Sequence, residues 1–180
     1  MPVPLRVPHT CSARAVCQNG PMANWEERIR EFWLEASDSD AETTLSSMQL
    51  LIAERDDDDA AANYEWASVH DFLGREAEAI PIHRRALGLG LDPDRRSQAL
   101  IQLASSLRNI GETTEAIKLL EVIRPDPMIG DAGEAFLALS LFDAGRPRDA
   151  LRVALKALAK TLPLYGGVVD QCADAIVDPQ

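Results

Sequence analysis

The sequence predicts an all-α fold made of consecutive helical hairpins, and three observations lead to this prediction. From Trp25 onward, apolar residues recur with the three-to-four-residue spacing of amphipathic helices. Gly74, Gly111 and Gly145 each separate two such stretches and lie 37 and 34 residues apart. An alanine lies seven residues before each of these glycines, and another lies five residues after it. A period in the thirties with a helix–turn–helix in each unit is the signature of a helical repeat array.

One kind of turn accounts for the three glycines. Two antiparallel helices joined by a short turn need a residue in the left-handed conformation, which glycine adopts without steric cost. An alanine on each side of the turn lets the two helix backbones approach closely. The sequence therefore predicts three hairpins with these structural positions: Ala67, Gly74 and Ala79; Ala104, Gly111 and Ala116; and Ala138, Gly145 and Ala150.

Residues 24–55 predict a pair of helices ahead of the three hairpins. Asn24 is a suitable N-cap for the first helix, and acidic residues follow it in the first turn. The stretch SDSD at residues 37–40 interrupts the pattern before the second helix. Each helix has its large apolar residues on one face: Trp25, Ile29, Phe32 and Trp33 in the first, and Leu45, Met48, Leu51 and Ile52 in the second.

The run of four aspartates at residues 56–59 has two interpretations. Four carboxylates in a row suggest a metal loop, but loops for hard cations interleave their ligands with turn residues such as glycine, and this run has none. The favoured interpretation is a solvated linker whose last member, Asp59, caps the next helix and complements its dipole.

Further helix boundaries can be placed by their capping residues. Asp92 and Pro93 supply an N-cap and a first-turn proline for a helix that ends near Ile110. Asp131 and Glu134 have the spacing of a capping box. Pro147 lies just inside the second helix of the third hairpin, with Lys156 and Lys160 at its carboxyl end.

The spacing within the hairpins resembles that of the tetratricopeptide repeat. The chain is most similar to the short bacterial proteins of the group 5 type, chiefly through IQLASSLRNIGE at residues 101–112. The spacing departs from the family pattern at Asn63 and Glu134, where a large apolar residue is usual, and at His83 and Ala154, which replace an aromatic residue. The middle hairpin matches through Leu100, Leu103, Ala104, Leu107, Ala116 and Leu120, with Pro125 or Pro127 near its end.

This resemblance implies a right-handed superhelical solenoid of antiparallel helix hairpins, forming a single domain over residues 22–180. Its expected parts are a degenerate hairpin (24–55), three repeats (60–91, 93–128 and 131–163) and a C-terminal capping helix (164–177). Residues 1–21 hold four prolines and no acidic residue. They are expected to be a disordered leader rather than a signal peptide, with Met22 as an alternative start of translation.

The resemblance also implies a ligand groove. In this family the first helices of successive repeats line a concave surface, and their inward positions contact ligands. Arg108 and Asn109 can anchor a carboxylate or a peptide backbone, but the family's lysine–asparagine–arginine clamp is not reproduced, so the ligand class stays open. The inward positions are Tyr64, Ser68 and Asp71 in the first repeat, Ile101, Ser105, Arg108 and Asn109 in the second, and Ala135, Leu139 and Phe142 in the third.

No residues of the sequence form a recognisable catalytic or metal-binding set. His70 and His83 fall on opposite helices of one hairpin at packing positions, which favours a structural role because zinc sites need three or four convergent ligands. His9, Cys11 and Cys17 match no standard metal spacing. No phosphate-binding loop or nucleophile elbow is present. The sequence therefore predicts no enzyme activity, no cofactor and no metal.

Composition limits the partners and the compartment. The net charge of −11 repels phosphate backbones, which disfavours nucleic acid and anionic membrane as partners. No apolar run reaches the length of a membrane span. Three cysteines, the third being Cys172, form no disulfide framework and are typical of a reducing cytoplasm. The basic doublets at residues 84–85 and 95–96 serve either solubility and charge pairing or docking of an acidic partner.

The resemblance implies a non-catalytic cytoplasmic adaptor that binds a peptide or protein segment in the groove. One alternative is self-association, in which a terminal hairpin or the tail helix pairs two copies into a homodimer. A third hypothesis, an enzyme with an unrecognised site, lacks a convergent acid, base and nucleophile.

Overall fold

A computed structural model of the protein describes residues 24–124 and 128–176. Over these residues all regular elements are α-helices, which confirms the predicted all-α fold of helical hairpins. The chain divides into two compact units, one up to Leu89 and one from Gly90 onward. Several predictions lie outside the described residues: the leader with His9, Cys11 and Cys17, the start at Met22, the prolines at 125 and 127, and the end of the tail at Val177.

The first unit contains two pairs of neighbouring helices. α1 packs against α2, α2 against α3, and α3 against α4. A buried cluster of residues from the first three helices, with the rest of the predicted apolar faces packed against it, forms the core: Trp25, Ile29, Met48, Ala62 and Val69. The four helices are Trp25–Glu35 (α1), Ala41–Ile52 (α2), Ala60–Phe72 (α3) and Glu76–Leu89 (α4).

Two indole N–H groups of α1 form hydrogen bonds to the neighbouring helices α2 and α3. The Nε1 of Trp25 donates to the backbone carbonyl of Leu51, at 2.9 Å. The Nε1 of Trp33 donates to the Oε2 of Glu65, at 2.7 Å, and the Glu65 side chain is buried. A buried carboxylate is costly unless it accepts hydrogen bonds, so Trp33 offsets part of that cost.

Both N-caps predicted for this unit are formed. Asn24 accepts from the N–H of Glu26 and forms a capping box with Glu27. Asp59 accepts from the N–H of Ala62 at 2.9 Å and pairs with Arg55 at 2.6 Å. Burial by itself would raise the pKa of Asp59, but the hydrogen bonds from Ala62 and Arg55 outweigh it and hold the pKa below its usual value. The last of the four aspartates is thus a helix cap.

The second unit continues the alternation of packed helices. α5 contacts both α6 and α7, and each later helix packs on the one before it. A smaller buried cluster of Ile117, Leu141 and Ala150 joins α6, α7 and α8. The helices are Pro93–Asn109 (α5), Thr113–Glu121 (α6), Ala132–Asp143 (α7), Pro147–Ala159 (α8) and Gly166–Asp174 (α9).

The three glycine elbows have the predicted backbone conformation. Gly74, Gly111 and Gly145 have φ angles of +67°, +90° and +74°. At the middle elbow, the N–H of Glu112 donates to the carbonyl of Leu107 at 2.8 Å, as in a Schellman motif that closes α5. All six alanines that accompany the glycines are buried: Ala67, Ala79, Ala104, Ala116, Ala138 and Ala150.

The start of α7 differs from the prediction. Asp92 caps α5 as expected by accepting from the N–H of Arg95, but the side chain of Asp131 makes no capping bond, so the capping box is not formed. Instead the Nζ of Lys160 donates to Asp131 at 2.7 Å and to Glu134 at 3.3 Å. These bonds raise the pKa of Lys160 and join the end of α8 to the start of α7.

Candidate interaction surface

The predicted ligand positions on α3 are interior in this structure. Tyr64, Ser68 and Asp71 are all buried, with only 1% of Tyr64 exposed. The hydroxyl of Ser68 donates to the carbonyl of Tyr64 one turn earlier, at 2.9 Å. These side chains pack the hairpin of α3 and α4 and offer no surface to a ligand.

The two histidines of this hairpin have different environments. The Nε2 of His83 lies 2.6 Å from the Oδ2 of Asp71, and the imidazole is fully buried beside the ring of Tyr64. His70 packs edge-on against Trp66 with 4.6 Å between ring centroids, and neither of its ring nitrogens has a hydrogen-bond partner among the described residues. Burial lowers the pKa of His70, and the charge of Arg75 lowers it further. Both rings occupy packing positions, as the sequence predicts.

The predicted positions on α5 divide into buried and accessible ones. Ile101 and Ser105 are buried, together with the neighbouring turns of α5. Arg108 is partly accessible and Asn109 is exposed at the carboxyl end of the helix. Of the predicted positions on α5, only those in the last turn therefore offer side chains to a ligand.

The predicted positions on α7 are all exposed. Leu139 is 47% exposed, Phe142 is 64% exposed, and Ala135 is also exposed. Residues separated by three or four positions share one face of a helix, so these three side chains form a continuous apolar stripe. The side of α7 away from this stripe is packed, with Gly133 and Ser140 buried.

An ion pair joins the two groups of accessible residues. The Nε of Arg108 donates to the Oδ2 of Asp143 at 2.7 Å, and both side chains remain partly exposed. Asp143 is not among the predicted site residues. It lies two residues before the elbow glycine Gly145, and Arg108 lies three residues before the elbow glycine Gly111. The resulting α5–α7 surface consists of Arg108, Asn109, Ala135, Leu139, Phe142 and Asp143.

The α5–α7 surface has the composition of a contact site for another chain. A helix that is apolar on all sides is normally enclosed by neighbours, yet α7 leaves a leucine and a phenylalanine in solvent. The Arg108–Asp143 pair lies beside this stripe. Its charged groups can exchange hydrogen bonds with a peptide backbone or with polar side chains at the rim of an apolar contact.

The described part of the chain contains no candidate metal site. Over residues 24–124 and 128–176, no group of three or more histidine, cysteine, aspartate or glutamate side chains is placed to hold a metal ion. None of the helices in these ranges combines the length and the apolar character that crossing a bilayer requires.

The family comparison agrees with the geometry. The family model for the tetratrico peptide repeat, group 5, matches residues 60–176. No curated protein and no solved structure matches the chain. The family match begins at the first residue of α3 and includes the three hairpins and α9, whereas residues 24–55 lie outside it, so their interpretation as a degenerate hairpin stays a prediction. The match spans more than half of the sequence, and the chain therefore belongs to the tetratrico peptide repeat family.

Proposed function

We propose that the protein is a non-catalytic interaction module and that it binds a peptide or protein segment on the α5–α7 surface. The observation that carries this proposal is the exposed stripe of Leu139 and Phe142 beside the Arg108–Asp143 pair. Aromatic and arginine side chains at the centre of a contact contribute more binding energy than others. Membership of a repeat family that binds proteins supports the same conclusion.

The charge and cysteine content support further parts of the proposal. A net charge of −11 disfavours nucleic acid and anionic membrane as partners. The cysteine of α9, Cys172, is a free and exposed thiol, which suits a reducing cytoplasm. We propose a cytoplasmic adaptor that needs neither a cofactor nor a metal.

A homodimer is the second candidate. Leu151 and Leu158 on α8 are both about half exposed and lie two turns apart on one face of the helix. A second copy of the chain would bury this stripe. Light scattering over a range of concentrations tests it, because a molecular mass that stays monomeric excludes the dimer.

A pull-down with three forms of the protein tests the main proposal. The wild type, Phe142→Glu and Leu34→Glu are used as baits in the same lysate, with circular dichroism to show that each is folded. Leu34 is 87% exposed on α1, so it controls for the general effect of removing an exposed apolar residue. Partners retained by the wild type and by Leu34→Glu but lost with Phe142→Glu support the surface. Partners retained by all three exclude it.

A further inference from the structure

A separate cavity opens on the first unit, within the hairpin of α3 and α4. It is a shallow depression with a volume of about 420 Å³ and is broadly open to solvent. None of its lining residues belongs to the α5–α7 surface or to the predicted groove positions. The lining consists of Asp57 from the loop before α3, Asn63 and Trp66 from α3, and Pro81, Ile82 and Arg85 from α4.

Hydrogen bonds hold the polar rim of this cavity in place. The Nδ2 of Asn63 donates to the carbonyls of Asp57 and Asp59, at 2.9 and 2.8 Å. A guanidinium nitrogen of Arg85 donates to the same Asp57 carbonyl, at 3.0 Å. The loop is therefore held by both α3 and α4, so it loses less conformational entropy when a ligand binds.

The apolar wall is equally fixed. Trp66 packs against the core cluster of the first unit and contacts the ring of His70 edge-on. Pro81 and Ile82 lie next to each other on α4. An indole face attracts a cation, and the alkyl stem of a lysine or arginine lies readily along such a wall.

Asn63 and Arg85 keep hydrogen-bonding groups that can bind a peptide backbone. Because the Nδ2 of Asn63 lies near two carbonyls, its Oδ1 is the acceptor left for a ligand N–H. Arg85 forms no ion pair with a carboxylate of the described residues and keeps further N–H donors for a ligand carbonyl. One acceptor and one donor of this kind match one amide unit of a peptide backbone.

Charge decides which side chain the peptide should carry. Asp56, Asp57 and Asp58 form no ion pair with any cation among residues 24–124 and 128–176, and Asp57 lines the cavity. The lining itself holds one carboxylate, Asp57, and one cation, Arg85. Asp56 and Asp58, on either side of Asp57 in the loop, add two further carboxylates, so the field at this end attracts a cation.

We infer that this cavity is a second binding site, for a peptide segment with a lysine or arginine next to apolar residues. The basic side chain lies along Trp66 and Ile82 and pairs with the carboxylate of Asp57. The peptide backbone exchanges hydrogen bonds with Asn63 and Arg85.

Fluorescence anisotropy with a defined probe tests this inference. The probe is a labelled, capped nonapeptide with one central arginine between two leucines in a glycine–serine background. Two further probes carry glutamine or glutamate in place of the arginine. At low ionic strength we expect saturable binding of the arginine probe, binding about fivefold weaker for glutamine, and no binding for glutamate.

Matched variants separate the cavity from the general charge of the loop. Asp57→Asn should weaken binding of the arginine probe about fivefold, whereas Asp58→Asn removes the same charge from a residue outside the lining and should change it less than twofold. Trp66→Leu should reduce binding further than Trp66→Phe, which keeps an aromatic face. Thermal unfolding shows whether each variant is folded.

Three results with the probes and the loop variants would overturn the inference. They are the absence of saturable binding by the wild type, equal weakening by Asp57→Asn and Asp58→Asn, and equal binding of the arginine and glutamate probes. Phe142→Glu serves to distinguish the two sites. If that variant loses the arginine probe, the probe binds at the α5–α7 surface and the cavity is not the site. If Phe142→Glu binds the arginine probe as tightly as the wild type does, the cavity site is independent of the proposed function.

Discussion

The Oδ2 of Asp71 lies 2.6 Å from the Nε2 of His83, and both side chains are buried between α3 and α4. In the family spacing, an aromatic residue is usual at the position of His83. Here the hydrogen bond between Asp71 and His83 joins α3 to α4 at this position. The Nδ1 of His83 has no partner among the described residues, so Asp71 provides the hydrogen bond that the imidazole makes.

We expect the Asp71–His83 pair to behave as a coupled unit in stability measurements. Asp71→Leu should lower the free energy of unfolding by about 2–3 kcal/mol, because it leaves the buried imidazole without its partner. His83→Phe should also lower it, because it removes one hydrogen bond of the buried Asp71 carboxylate. The double variant, Asp71→Leu with His83→Phe, should lose less than the sum. Urea denaturation measures the three values, and strict additivity would show that the two side chains do not interact.

His70 should make the protein less stable in acid. Burial holds its pKa below the ordinary 6.5, while Glu78 and Asp71 oppose that shift without reversing it. The unfolded chain therefore binds this proton more readily, and stability falls as the pH is lowered from about 6.5 through the lower pKa of the folded state. His70→Phe removes this contribution. Its unfolding free energy relative to the wild type should rise between pH 7.5 and pH 5, and parallel pH profiles would contradict this account.

The elbow at Gly111 should tolerate a side chain poorly. Its φ of +90° is unfavourable for other residues, although a β-carbon there would meet no atom within 4 Å. Gly111→Ala should therefore cost about 1 kcal/mol through backbone strain alone. Gly88 lies inside α4 without a positive φ, so Gly88→Ala should stabilise the protein by up to about 1 kcal/mol. Thermal unfolding of the two variants should give shifts of opposite sign, and a neutral Gly111→Ala would refute the strained elbow.

The two aspartates at the starts of α5 and α7 should differ in their contribution to stability. Asp92→Ala removes a side-chain cap and should cost about 1 kcal/mol. Asp131→Ala removes only an exposed pairing with Lys160 and should cost less than about 0.5 kcal/mol. In a Lys160→Met background the Asp131→Ala effect should disappear. Chemical denaturation at low and high salt measures these free energies of unfolding. An equal loss of stability for Asp92→Ala and Asp131→Ala would contradict the difference in capping.

Local features of the fold could be predicted from the sequence because they depend on short spacings. Gly111 and its flanking alanines identify an elbow and a close helix contact through steric rules that act over a few residues. Asn24, Asp59 and Asp92 cap helices for the same reason. Asp131 makes no capping bond: its backbone, with ψ of 20°, lies outside the extended region that a capping residue adopts. Its carboxylate accepts instead from Lys160, which lies 29 residues away in the sequence.

The candidate site could be predicted only in part. Leu139 and Phe142 are accessible, but Ser68 and Asp71, which lie at the same distances before their elbow glycine, are buried. Helical period fixes which residues share a face, whereas burial depends on how closely the neighbouring helices approach that face. The pairing of Arg108 with Asp143 and the cavity beside Trp66 arise from packing between separate helices, which no spacing in the sequence specifies.

Site-specific photocrosslinking tests the central claim, that the α5–α7 surface is where this protein binds its partner. A photoreactive phenylalanine analogue is placed at position 139, at position 142 or, as a control, at position 34. Mass spectrometry then identifies the peptides attached to each form in the native lysate. The account predicts that positions 139 and 142 capture the same segment of one partner while position 34 does not. Capture of that partner equally well from position 34, or from neither position on α7, would contradict it.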